Sequence, residues 1–263
     1  MITIKNLSVA YTTDEKTRQN KTVLADIGLS LSAGTVNIVI GPSGGGKSTL
    51  LKVIAGLIDP SAGTVKLGGA DGCEPIIGFM PQSCGLLPWE TIRENVELAA
   101  GLRLKKTEAS AVDCDNMKKQ SLALMKQLGI DALADCYPSE VSGGQQQRAA
   151  LGRMFLLRPD LLLMDEPFSA LDELTRGEVR QLFADLCADR RQDDCKPMTV
   201  LMVTHQVEEA VLLGEKIIVL DGKIKAVLDN PYSGQSENLC SQERSEFIVR
   251  LRRLLDREGG STP

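Results

Sequence analysis

At 263 residues and 43% hydrophobic, the chain is long enough to bury a full core, as one large domain or as a core carrying an inserted subdomain. A formal net charge of −5 excludes a nucleic-acid binder working through a basic face, and an aromatic share of 3% leaves the core to Leu, Val, Ile, Ala and Met. Seven cysteines without a CxxC pair, beside a single histidine, exclude a zinc cluster and read as reduced thiols of a cytosolic protein.

The opening MITIKNLSVAY alternates as a strand does and lacks the charged-then-apolar plan of a signal peptide. TVLADIGLSL alternates too, so the two segments predict antiparallel strands, with the polar TTDEKTRQNK as a loose hairpin loop between them. VNIVI at 36–40 is continuously apolar, as in a strand buried on both faces, and it runs into the glycine loop and helix of GPSGGGKSTLLKVIAGL. TVKLGG and PIIGFMP predict two more short strands. From about residue 88 to 158 helical patterns take over, in TIRENVELAAGL, NMKKQSLALMKQLGI and SGGQQQRAALGRMFLL. The α/β pattern resumes with LLLMD, a helix from about 174 to 189, TVLMV, a helix after His205, and KIIVL. The dipeptide Asp221-Gly222 between IIVL and KIKAVL predicts a hairpin with a type I′ turn. An amphipathic helix closes the chain at about 241–258. No apolar run approaches the ~18 residues needed to span a bilayer, so work at a membrane requires another chain to do the spanning.

Three stretches carry chemistry. Residues 41–48 fit GxxxxGK[ST], directly after a buried strand and directly before a helix. Glycines let backbone N–H groups converge on phosphate oxygens, and the helix N-terminus adds its positive end. Lys47 is placed to reach β- and γ-phosphates, and Ser48 to ligate Mg²⁺. LLLMDE ends an apolar strand in two carboxylates: Asp165 suits a water-mediated Mg²⁺ contact and Glu166 the polarisation of an attacking water. VSGGQQQR at 141–148 offers Ser142 as an N-cap, with two glycines leaving the backbone open at a second anion-receptive helix start. One chain does not need it, since the first loop already binds the phosphates. It makes sense if it covers a nucleotide held by another copy.

The ordered set of P-loop, Gln82, VSGGQ, LLLMDE, SALD at 169–172 and His205 resembles the ATP-binding cassette family of transport ATPases, over nearly the whole chain. The resemblance implies an α/β fold: a P-loop NTPase (RecA-like) core at about 1–87 and 159–240, with an N-terminal antiparallel β subdomain and an inserted α-helical subdomain at about 88–158. It implies that Gly41, Pro42, Ser43, Gly44, Gly45, Gly46, Lys47, Ser48 and Thr49 surround the phosphates of ATP. Tyr11 matches the aromatic that stacks on adenine, and Gln82 the glutamine that touches Mg²⁺ and the attacking water. Ser142, Gly143, Gly144 and Gln145 match the signature that closes on the partner's γ-phosphate. Asp165 matches the Mg²⁺-holding aspartate, Glu166 the general base, Asp172 the aspartate that communicates between sites, and His205 the switch histidine at the γ-phosphate. Val141 departs from the Leu more common in the family.

LLPW at 86–89 followed by TIRENV, with PFSALDELTR and VTHQVEEAVLL, is similar to the importers of nitrate, sulfonate and taurine. That implies two copies sandwiching two ATP and Mg²⁺, transmembrane permease subunits, a solute-binding protein in the same system, and a peripheral position on the cytoplasmic side of the membrane, with no nucleic acid involved. Trp89 is either part of the surface facing the permease or a packing residue. An exporter-type cassette, a non-transport soluble ATPase of the same superfamily and a binding-only module are the alternatives.

Overall fold

The computed structural model describes residues 2–14, 19–68, 74–107, 110–192, 198–234 and 242–256. They group into two compact units: one of Met1–Pro75, Leu163–Glu166 and Thr199–Pro263, the other of Ile76–Leu162 and Pro167–Met198.

The first unit opens with β1 (Ile2–Asp14) and β2 (Gln19–Leu31), paired antiparallel, with β4 (Ala62–Leu67) on the other side of β1. The polar stretch between the alternating segments is thus mostly strand, and only residues 15–18 of it lie outside the described residues. In β1 the buried residues fall at 2, 4, 7 and 9, which is not a strict period of two. A bulge between Ile4 and Leu7, with Asn6 at φ 49, shifts the phase so that both halves face the same core. Asn6 Nδ2 donates to Asp26 Oδ1 across the pair at 2.9 Å, and Asp26 has φ 51.

The same unit holds β3 (Val36–Ile40), buried at every residue, as a strand covered on both faces must be. It pairs in parallel with β7 (Thr199–Thr204) and β8 (Lys216–Asp221), and β8 turns back into antiparallel β9 (Lys223–Asp229). The last residues of β6 (Leu161–Asp165) extend the order to β6-β7-β3-β8-β9. Helices α1 (Lys47–Ile54), α6 (Val207–Leu213) and α7 (Gln242–Asp256) complete the unit. The hairpin after β8 stands where Asp-Gly predicts it. Of the two residues only Gly222 has a positive φ, 65°, so the turn is not type I′, and a register shift after Val219 absorbs the difference.

The second unit holds β5 (Ile77–Met80), the first two residues of β6 and four described α-helices: α2 (Ile92–Lys106), α3 (Ala111–Gln127), α4 (Gly143–Leu157) and α5 (Glu173–Gln192). Reciprocal capping boxes start α2 (Thr91 with Glu94) and α3 (Ser110 with Asp113). Phe183 of α5 packs edge-on against Phe155 of α4 and against Phe168, at ring distances of 6.1 and 6.0 Å. Among the described residues no helix is long and apolar enough to cross a membrane. Cys84, Cys114, Cys136 and Cys187 are free thiols, while Cys73, Cys195 and Cys240 lie outside the described residues.

Candidate active site

The segments following β3, β6 and β7 bring most of the predicted residues of the first unit together. The loop at 41–46 leads into α1, whose N-cap is Gly46 at φ 88. Two of its glycines are dictated by packing. A Cβ on Gly41 would lie 1.9 Å from the carbonyl oxygen of Leu220, and one on Gly46 would lie 2.5 Å from a Leu24 methyl. The loop therefore lies flush on the end of β8 and on β2, and Gly222 N–H donates to the Gly45 carbonyl at 3.0 Å.

Lys47 is buried, and its ammonium donates to the carbonyls of Gly41 (2.9 Å) and Pro42 (2.8 Å). Burial pulls its pKa below the ordinary lysine value, and the charges of Glu166 and Asp165 oppose that shift. Ser48 Oγ donates to Asp165 Oδ1 at 2.9 Å. Asp165 is buried, and that burial raises its carboxyl above the usual range. The Ser48 bond opposes the shift, the charge of Glu166 adds to it, and Lys52 and Lys47 oppose it. Thr49, one residue on, has its hydroxyl 3.4 Å from that of Tyr11, which sets the half-exposed Tyr11 beside the start of α1.

Glu166 takes the left-handed conformation, φ 47, and its N–H donates to the Val203 carbonyl at 3.0 Å. A non-glycine residue there carries on the order of 1 kcal/mol of strain. That geometry sets the Glu166 Oε2 atom 3.4 Å from Nδ1 of His205, the chain's only imidazole. His205 is exposed and sits directly after β7.

The second unit carries the remaining predicted residues. Gln82 follows β5 and is exposed. Ser142 is the N-cap of α4, and its hydroxyl accepts from Gln145 N–H (3.3 Å) while Ser142 N–H donates to Gln145 Oε1 (2.8 Å). Gln145 is thereby committed to a capping box. Gly143 has open space around it, whereas Gly144 is buried, so the openness expected of both glycines belongs to Gly143 alone. The next two glutamines have other tasks: Gln146 donates to the Pro138 carbonyl at 2.8 Å, and Gln147, buried, donates to the Pro167 carbonyl. Asp172 caps α5 by accepting from Thr175 N–H at 3.1 Å.

Trp89 is 68% exposed, which removes the packing alternative for it. Sequence reasoning missed how it is presented. Fully buried Asn95 donates to the carbonyls of Leu87, Glu90 and Thr91 and accepts from Leu87 N–H, and buried Arg153 bonds Asn95 and the Gly85 carbonyl. The only signal was the pair of polar residues on helix faces that are otherwise apolar.

A glycine loop on a helix start, a part-buried serine–aspartate pair and a Glu–His pair at strand ends define a P-loop nucleoside-triphosphatase. The ABC transporter family matches residues 24–169, and the chain belongs to that family. It is 38% identical over 241 residues to the aliphatic sulfonates import ATP-binding protein SsuB of Burkholderia pseudomallei (strain K96243), covering 90% of this chain and 68% of that one. It is 40% identical over 201 residues to the nitrate import ATP-binding protein NrtC of Synechococcus elongatus (strain ATCC 33912 / PCC 7942 / FACHB-805), covering 75% of this chain and 28% of that one. Among solved structures, the ATP-binding cassette MJ0796, a dimer in a post-hydrolysis state bound to ADP and Pi, superposes with a TM-score of 0.72 at 31% identity, over 87% of this chain and 98% of that one.

Proposed function

We propose that this chain is the ATP-hydrolysing subunit of an ABC importer for a small anion of the nitrate, sulfonate or taurine kind. It acts as one nucleotide-binding domain on the cytoplasmic side of the membrane, as a pair of copies attached to permease subunits fed by a solute-binding protein. The observation that carries the reading is the juxtaposition of Glu166 with His205 beside the Ser48–Asp165 pair. The names of the sulfonate and nitrate relatives favour import over the exporter and soluble alternatives.

Tyr11 covers the base, and the loop at 41–49 takes the phosphates, Lys47 exchanging two neutral carbonyl acceptors for charged phosphate oxygens. Among the described residues there is no group of three or more His, Cys, Asp or Glu able to hold a metal by itself. One carboxylate and one hydroxyl at hydrogen-bond distance instead fit Mg²⁺ brought in with the nucleotide, which keeps waters and phosphate oxygens as its other ligands. When bound, Mg²⁺ neutralises charge developing on the phosphates, and Ser48, Asp165 and Gln82 hold it. Glu166 accepts the proton of the attacking water, with His205 fixing its carboxylate and facing the γ-phosphate. Ser142, Gly143, Gly144 and Gln145 of the second copy close over that phosphate, and Asp172 connects the two sites.

Cells lacking this chain should lose ATP-dependent accumulation of labelled nitrate, taurine or a short alkanesulfonate, and regain it with the parent gene. Undiminished uptake of all three would refute the importer reading. His205→Ala should still dimerise with ATP yet hydrolyse it about a hundredfold more slowly. A full-rate variant would remove His205 from the hydrolytic machinery.

A further inference from the structure

The sequence motif ELTR, residues 173–176, has no task in the proposed cycle, and the structure gives it one. Thr175 lies in the first turn of α5 and is half-buried. Its backbone N–H donates to the Asp172 carboxylate at 3.1 Å, and that bond, helped by the hydroxyl on the same side chain, holds the acid below its ordinary pKa. Its methyl group lies against Gly144 of α4: a Cβ built on Gly144 would sit 2.4 Å from Thr175 Cγ2 and 3.8 Å from Thr175 Cβ. Thr175 is β-branched and stiff at χ1, so its hydroxyl and methyl cannot move independently. The neighbouring Arg176 anchors the turn from the other side, donating to the carbonyls of Phe168 and Leu171 and pairing with Glu173 at 2.9 Å. One turn further along, Arg148 of α4 pairs with Glu178 of α5 at 2.6 Å.

We propose that Thr175 is a positioning residue that locks the Asp172 turn to the start of the signature helix, so that the two segments a chain offers to its partner's nucleotide move as one piece. The inference rests on the sandwich-dimer reading above. It assigns Gly144 a reason to be glycine that is separate from phosphate approach: the Thr175 methyl occupies the place of a side chain.

The two halves of the threonine can be separated. Thr175→Ser keeps the hydroxyl and drops the methyl, and Thr175→Val does the reverse. Purified full-length protein is assayed for Mg²⁺-dependent ATP hydrolysis across ATP concentrations, with thermal melts as a folding control. Thr175→Val, which sets an apolar methyl beside the Asp172 carboxylate in place of the hydroxyl, should lower kcat about tenfold, while KM stays within about twofold and the Hill coefficient falls towards unity. Thr175→Ser, which gives up the methyl that meets Gly144, should lower kcat as well, by about threefold, with the same fall in the Hill coefficient. Gly144→Ala should lose about tenfold or more by driving the threonine off its rotamer, and Gly144→Ala/Thr175→Ser should recover most of that loss, because the atom at 2.4 Å is gone.

A Thr175→Val protein with parental kcat and Hill coefficient overturns the proposal. So does a double variant as slow as Gly144→Ala alone, which would place the glycine's role at the phosphate. A parent that hydrolyses no ATP fails differently, since it removes the proposed function and this inference with it. A parental rate in the parent combined with silent Thr175 variants removes the inference only.

Discussion

Glu166→Gln should bind ATP with near-parental affinity, lose turnover by about a hundredfold to ten-thousandfold, and accumulate as a dimer on gel filtration when ATP and Mg²⁺ are present. The geometry explains why the effect falls on the chemical step. The Glu166 backbone is fixed by its N–H bond to Val203 and by a left-handed φ of 47°, and the glutamine side chain has the same length and shape. The amide fills the same space beside His205 but has no basic oxygen to take a proton from water. Removing the charge also relieves Asp165, whose pKa Glu166 raises, so binding of Mg²⁺ and nucleotide should not suffer. Binding energy that closes the dimer is then retained while the reaction that reopens it is blocked. If Glu166→Gln hydrolysed ATP at the parental rate, the base would have to be another group. Glu166→Gly is a useful contrast: it relieves the backbone strain and should be at least as stable, yet equally inactive.

Much of the fold was legible because its signals are local. VNIVI, LLLMD and TVLMV are buried at every residue, as continuously apolar runs should be. The glycine loop carries its own conformational requirements, and the Glu166 and His205 positions follow from the ends of strands that periodicity already placed. What stayed hidden depends on tertiary neighbours. The three successive glutamines at 145–147 are chemically identical in the sequence, but one caps α4, one ties the Pro138 carbonyl and one is buried against the Pro167 carbonyl. The contact of Gly144 with Thr175 joins residues 31 positions apart in sequence, and no period reports it. The helical pattern of NMKKQSLALMKQLGI says nothing of the residues before it, where α3 starts at Ala111 from the capping box of Ser110 with Asp113. The Asp-Gly turn shows the reverse: the dipeptide located the hairpin correctly, but the strand register, set by β8 in the sheet interior, chose a turn with only one positive φ.

Replacing Lys47 should weaken ATP binding by about 10- to 100-fold, the worth of a charge-assisted contact in a partly desolvated site. The loss has two origins that the structure separates. The direct one is the ammonium, which lies within 2.9 Å of two loop carbonyls and is aimed along the loop that would hold the phosphates. The indirect one runs through Asp165, whose raised pKa Lys47 helps to lower, so removing the cation leaves that carboxyl easier to protonate. Protonated, it holds Mg²⁺ poorly, and the affinity of the variant for MgATP should therefore depend on pH more steeply than the parent's, falling as the solution is acidified. Lys47→Met keeps most of the buried stem and should melt close to the parent, whereas Lys47→Ala opens space under the loop and should melt lower, although both lose the charge. Titration with a fluorescent ATP analogue at two pH values checks both origins together: equal affinity in parent and Lys47→Met would remove the loop at 41–49 as the phosphate site, and a pH-independent loss would leave only the direct contact.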